Sequence, residues 1–235
     1  MRGWPWAVAV VVAVALLAGL GAAIGRIGPP GAVAVPPPRL DEAATAPPGR
    51  AAVVLAGGCF WGVQAVYEHV RGVVSATAGY AGGSAATADY EDVSTGTTGH
   101  AESVRVVYDP RRITLGRLLQ IFFSVVQDPT QRNRQGPDVG RQYRSVIFYR
   151  SPEQRRIAAA YIRQLTAARV FRRPIVTEVA ALSGFYPAEA YHQDYAARHP
   201  DDPYIQINDL PKLANLRRAW PRFYRSAPAA HSARQ

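Results

Sequence analysis

A single cysteine in 235 residues, Cys59, sets the first limit on what this chain can become. No intramolecular disulfide can staple it, and zinc sites built from several thiolates are excluded. The fold must therefore rest on a packed apolar core. The composition permits one, with 48% hydrophobic and 19% charged residues, outside the range of disordered chains. The length suits one domain of ordinary size with terminal extensions. A formal charge of +10 invites a nucleic-acid or membrane-surface reading. The cations, however, are scattered as arginine doublets (Arg111 with Arg112, Arg155 with Arg156, Arg172 with Arg173, Arg217 with Arg218), and Lys212 is the lone lysine. They form no single stripe, so a solvated basic surface is expected, with no nucleic acid as partner.

The N-terminus reads as a targeting segment. Arg2 precedes WPWAVAVVVAVALLAGLGAAI (residues 4–24), which carries no charge before Arg26. Its length sits at the anchor end of the range, long enough for a spanning helix, while small residues at 21–23 or 32–34 leave cleavage open, so residues 1–26 are expected to be a signal peptide or an N-terminal membrane anchor. The positive charge on the short side favours export of the domain, an extracytoplasmic location. Residues 27–50 are rich in Pro, Ala and Gly and read as a linker. A folded domain is expected over 51–200, followed by an irregular C-terminal extension at 201–235 with at most a helical turn near Leu213.

Within the domain, residues 52–56 form a short apolar run ending at Gly57 and Gly58. Phe60, Trp61, Val63, Val66, Tyr67 and Val70 then recur at helical spacing, placing a helix start near Cys59. Strands are expected at 73–78, around Val104, Val106 and Tyr108, at 143–149 and at 175–179. Thr114 is a candidate cap for a helix to about Val126. Ser151, with Pro152 at the first helical position, starts another running to about Ala168. A further short helix is expected over 188–198. The order β-α-β, β-α-β with an extra helix fits an α+β fold, a two-layer sandwich of the split-βαβ (ferredoxin-like) kind.

Cys59 is where chemistry concentrates. At a strand-to-helix turn, unpaired N–H groups and the helix dipole favour negative charge, so a lowered thiol pKa is expected. Without that effect, Cys59 is simply a small buried hydrophobe. The aromatic pair Phe60 and Trp61 beside a glycine turn suits a small apolar ligand group.

GGCFWG (57–62) resembles the signature of the A-class peptide methionine sulfoxide reductases. Further matching motifs come in order: GYAGG (79–83), DYEDVSTGTTGHAE (89–102), VVYDP (106–110), DPTQRNRQGPDVGRQYRS (128–145) and AEAYHQDY (188–195). Together they cover about residues 51–200, and several ordered motifs are far more specific than one. The resemblance implies that the Cys59 thiolate attacks the sulfoxide sulfur. It implies that Glu102, kept neutral by burial, protonates the departing oxygen. Tyr90 and Tyr143 match the two tyrosines that hold that oxygen. Phe60 and Trp61 would enclose the substrate methyl group, Asp138 would help order the site, and His192 would line the pocket. Taken singly, each of these residues also has an ordinary packing or surface role.

The product left on the protein would be a Cys59 sulfenic acid. Many relatives resolve it with further cysteines. Here Ser94 stands where some carry one, and the tail has none. Regeneration is therefore expected from an external thiol, thioredoxin-like or glutaredoxin-like, with no metal and no organic cofactor. Gln64 stands where relatives often have Glu, against an acid role there. The implied substrates are proteins or peptides carrying the S epimer of methionine sulfoxide, or the free amino acid, acted on by a monomer.

Two other readings make different demands. A cysteine acyl-transfer enzyme would pair Cys59 with His100 or His192. An anchored basic module for nucleic acid or anionic lipid would be indifferent to Cys59 and strongly salt-dependent.

Overall fold

The computed structural model describes residues 31–43 and 49–229. Residues 1–30, and with them the expected signal or anchor, lie outside the described residues. Among those described, no helix is long and apolar enough to cross a membrane.

The fold is mixed α+β. Strand β1 (Ala51–Ala56) leads through Gly57–Gly58 into helix α1 (Phe60–Glu68), and β2 (Val73–Ala81) comes next. After the short helix α2 (Tyr90–Ser94) come β3 (Ala101–Tyr108) and α3 (Leu115–Ile121), which widens into a π-helical turn at Phe122–Val126. A small hairpin, β4 (Arg134–Gln135) with β5 (Asp138–Val139), precedes β6 (Val146–Tyr149) and α4 (Pro152–Ala167). Strands β7 (Glu178–Ala181) and β8 (Phe185–Pro187), helix α5 (Tyr195–Arg198) and helix α6 (Leu210–Ala219) complete the chain.

One six-stranded sheet runs β7-β6-β1-β3-β2-β8. It is antiparallel except for the β6–β7 pair. Strand β1 sits inside it, and Val53, Val54, Leu55 and Ala56 are all buried. Burial on both faces explains why AAVVLA is a continuous apolar run and not an alternating one. Val53 and Leu55 join the large core under the helices, with Phe60, Val63, Tyr67, Leu118, Leu119 and Tyr161. Val54 and Ala56 face the opposite side and pack in a smaller cluster with Val146 and Phe148.

Both expected helix caps are present. The Thr114 hydroxyl accepts from the Arg117 N–H, and the Ser151 hydroxyl from the Gln154 N–H, each about 1 kcal/mol of helix stabilisation. Several other expectations need correction. The strand expected from Tyr143 begins at Val146, because 141–143 is a 3-10 turn. The strand expected at 175–179 is displaced to Glu178–Ala181, where it pairs with β6. The helix expected over 188–198 is broken at Asp194, which is left-handed at φ 54°. Its backbone N–H and side chain are drawn to Gln64 of α1, and that tertiary demand overrides helix continuity.

The segment expected to be a linker is docked where it is described. Ser124 bonds Val33 through both backbone carbonyl and hydroxyl, Gln120 donates to the Val35 carbonyl, and the Tyr161 hydroxyl donates to that of Pro36. Asp41 and Glu42 then cap α3 from outside, accepting from the Gly116 and Leu115 N–H groups at 2.7 and 2.9 Å. The tail expected to be irregular is equally ordered: a π-helical turn at Ile205–Asp209 runs into α6, which packs on α1.

Candidate active site

The site is assembled at the start of α1. Gly58 adopts φ 92°, and a Cβ there would meet the Gln135 side chain at 2.6 Å, so only glycine turns the chain into the helix here. Cys59 becomes the N-cap residue, free and 7% exposed. Its side chain makes no cap hydrogen bond to the helix, though the nearby Trp61 backbone N–H favours negative charge on the sulfur.

The expected lowering of the Cys59 pKa is overturned. Burial pushes the thiol well above its ordinary value, and the carboxylates of Glu102 and Asp209 push the same way. The Trp61 N–H and the Lys212 ammonium oppose this but do not outweigh it. A helix terminus favours a nearby anion only modestly, whereas desolvation of a fully buried anion is the larger effect here.

Glu102 lies on β3, paired in register with Tyr80 of β2. Its side chain is 4% exposed, and one carboxyl oxygen accepts the Phe60 N–H at 3.0 Å. Burial raises its pKa from 4.5 to about 8, only partly offset by that hydrogen bond. A carboxyl bonded to the first N–H of α1 is thus held beside Cys59 and is mainly protonated at neutral pH.

Tyr90 opens α2, where Asp89 caps the helix and Glu189 accepts the Tyr90 N–H at 3.0 Å. Tyr143 ends the 3-10 turn before β6. Both phenols are half-buried, and both have pKa values raised by desolvation and then by the nearby charges of Glu102 and Cys59. The structure therefore brings Cys59, Glu102, Tyr90 and Tyr143 together from four separate elements.

Phe60 and Trp61 frame the aromatic side. Phe60 is buried and lies 5.1 Å, ring to ring, from His192, which in turn lies 4.5 Å from Tyr90. Trp61 stacks on Tyr195 at 3.8 Å and meets Tyr204 edge-on at 5.9 Å. The Trp61 indole N–H donates to His192 Nδ1 at 3.2 Å, and burial lowers the His192 pKa. A neutral ring that accepts at Nδ1 carries its proton on Nε2. Asp138, on β5, accepts the Tyr204 hydroxyl at 2.6 Å, and burial raises its pKa.

Several residues around the site carried no local signal. Tyr204 joins Asp138 to Trp61. Asp209 is 1% exposed, with a pKa raised by burial, and is paired with Lys212 at 3.1 Å. Tyr80 and Glu189, bonded at 2.9 Å, back the site from β2. The run DDPYIQINDLPKL holds an acid and the lone lysine inside an apolar framework, but nothing local says which helix it will reach.

Gln64 is structural, spanning the Ala76 carbonyl, Gln193 and Asp194. The imidazoles an acyl-transfer site would need are committed elsewhere: His100 bonds Gly83 and Ser84 of the glycine loop, and His192 bonds Trp61. Among the described residues no cluster of His, Cys, Asp and Glu could hold a metal.

Fold and site together set a buried thiol at a helix start, beside a carboxyl held largely protonated and among aromatic side chains. A family model described as peptide methionine sulfoxide reductase matches residues 51–223. A peptide methionine sulfoxide reductase of Mesorhizobium japonicum is 52% identical over 189 residues, covering 80% of this chain and 96% of its own. One from Synechocystis is 50% identical over 205 residues, covering 86% and 96%. Among solved structures, the reduced form of Mxr1 from Saccharomyces cerevisiae superposes with a TM-score of 0.61 at 32% identity, over 68% of this chain and 91% of that one. Methionine sulfoxide reductase A of Corynebacterium diphtheriae gives 0.55 at 34%, over 74% and 86%. The chain belongs to the peptide methionine sulfoxide reductase family, and it is an oxidoreductase that reduces methionine sulfoxide.

Proposed function

We propose that Cys59 attacks the sulfur of the S epimer of methionine sulfoxide, peptide-bound or free, with Glu102 as the proton donor. The observation that carries this reading is the buried Glu102 carboxyl, bonded to the Phe60 N–H and raised to about 8 beside the thiol. A sulfoxide oxygen leaves poorly without a proton, and a carboxylate ionised at neutral pH would have none to give. Glu102 protonates the oxygen and its carboxylate then takes the proton of Cys59. The attack forms a bond between the Cys59 sulfur and the substrate sulfur; the protonated oxygen then passes to Cys59 as a new S–O bond while the S–S bond and the substrate's own S–O bond break, and the substrate sulfur leaves as a thioether. Two electrons pass from the cysteine sulfur to the substrate sulfur, leaving Cys59 as its sulfenic acid. Tyr90 and Tyr143, both too high in pKa to ionise, donate hydrogen bonds to the oxygen. Phe60, Trp61 and His192 enclose the methyl group, while Asp138 fixes Tyr204 against Trp61.

With Cys59 the lone thiol, an external thiol completes the cycle: a thioredoxin-like or glutaredoxin-like protein attacks the sulfenic sulfur, releases water and resolves its own mixed disulfide. The site is complete within one chain, in keeping with a monomer. The uncharged run at 4–24 supports an exported domain, its leader cleaved or kept as an anchor. The order β6-β1-β3-β2 of the central strands supports the split-βαβ sandwich as the underlying plan.

The test is turnover of a methionine sulfoxide peptide by the full chain with dithiothreitol as reductant, each epimer supplied separately. Reduction of the S epimer alone is expected. Equal reduction of both would remove the stereochemical reading, and trapping of a thioester on Cys59 would replace the chemistry.

A further inference from the structure

Helix α6 and the turn before it deliver an ion pair to the base of the nucleophile's helix. Asp209 and Lys212 pair at 3.1 Å, with side chains 0% and 13% exposed. They lie directly on the first turn of α1: a Cβ on Gly62 would collide with Asp209 Oδ1 and stand 2.8 Å from Lys212 Nζ. Asp209 Oδ2 is buried and has no hydrogen-bond partner among the described residues. Burying a charged pair against a helix backbone is costly, and such pairs are weak sources of stability. Composition adds an independent sign. This chain uses arginine for every other side-chain cation, yet the one lysine stands here. An ammonium is a compact point charge, whereas a guanidinium is a wider planar fork.

We propose that Lys212, held by buried Asp209 against the first turn of α1, is a positioning cation for the anionic forms of Cys59, the thiolate that attacks and the sulfenate left behind. The proposal rests on the reading of Cys59 as the attacking thiol. The pair forms a dipole with two ends near the sulfur. Asp209 disfavours negative charge on Cys59, and Lys212 favours it, offsetting part of what the buried acid imposes. In a chain without a resolving cysteine, the oxidised intermediate must wait for an external thiol, and an adjacent cation stabilises it during that wait. Other charged or titratable groups face the same space: Glu102 from β3, Asp138 from β5, and His192 beside Phe60. The phenols of Tyr90, Tyr143, Tyr195 and Tyr204 couple to Cys59 as well. The substitutions below change only the pair and leave these residues unaltered.

The experiment is the pH dependence of iodoacetamide alkylation in the full chain. Cys59 is the lone thiol, so the rate reports its thiolate without any substrate. Lys212→Met is expected to raise the alkylation midpoint by about one pH unit, a tenfold loss of reactivity below it. Asp209→Asn is expected to lower the midpoint, and the double variant to return it towards the wild-type value. Shifts of opposite sign are the signature, because a merely structural role would loosen the same turn in both variants and move both the same way. An unchanged midpoint in folded Lys212→Met, or shifts of one sign, overturns the proposal. If Lys212→Met does not fold, Asp209→Asn decides alone, and an unchanged midpoint there overturns it. Cys59→Ser turnover is measured separately, so failure of the nucleophile reading is distinguishable from failure of this one.

Discussion

Replacing Glu102 by Gln should move activity and stability in opposite directions. The amide keeps an oxygen to accept the Phe60 N–H, so the turn into α1 survives. What is lost is a transferable proton. General-acid contributions are typically about 10²–10⁴-fold, and a loss of that order in single-turnover sulfenic acid formation is expected at pH 7. The pH profile derives from the folded pKa of about 8. About 90% of the carboxyl is protonated at pH 7 and about 10% at pH 9, so the wild-type rate should fall roughly tenfold between them. The variant should lack that limb. Stability carries the opposite sign. A carboxyl whose pKa rises from 4.5 to about 8 on folding keeps its full contribution below pH 4.5 and loses it as pH climbs through 8. At pH 7 that loss is about 3 kcal/mol, so the variant should resist urea better than the wild type, by an amount that shrinks on acidification. Rapid-quench measurement of substrate reduction from pH 6 to 9.5, with parallel unfolding curves, checks both. A wild-type rate that holds or climbs above pH 8 would refute the reasoning, because the transition state would then carry one proton and not two.

Cys59→Ser should abolish turnover, and activity above a few per cent of wild type in a thiol-coupled assay would remove Cys59 from the mechanism. A chain starting at residue 51 should fold but unfold at lower denaturant than one starting at 31, by about 2 kcal/mol or more, since Asp41 and Glu42 cap α3 and Val35 is buried; coincident unfolding curves would show that the docked segment contributes nothing. Gly62→Ala should destabilise by about 1–3 kcal/mol, because the new Cβ would displace the Asp209 carboxylate, and an unchanged urea midpoint would contradict the packing described.

The order of the main elements was legible in the sequence because it is written in local chemistry. Helical spacing from Phe60 to Val70, the Thr114 and Ser151 caps and the glycine turn before Cys59 each act over a few residues. The motif-bearing residues stood out as well, and the fold brings Cys59, Glu102, Tyr90, Tyr143 and His192 close to one another. Hairpin β4–β5 and strand β8 were not, since strands of two or three residues carry no periodicity and exist only through their partners.

The sequence by itself determined that this chain has one thiol, that the thiol opens a helix after two glycines, and that no internal disulfide can regenerate it. Only the tertiary structure decided the ionisation of that thiol. Desolvation depends on everything packed around a group, and here burial, reinforced by the charges of Glu102 on another strand and Asp209 far downstream, reverses the helix-terminus expectation. It also decided that residues 31–43 are part of the domain and that the tail completes the site. Both are settled by contacts between residues remote in sequence, whose free energies no local pattern records.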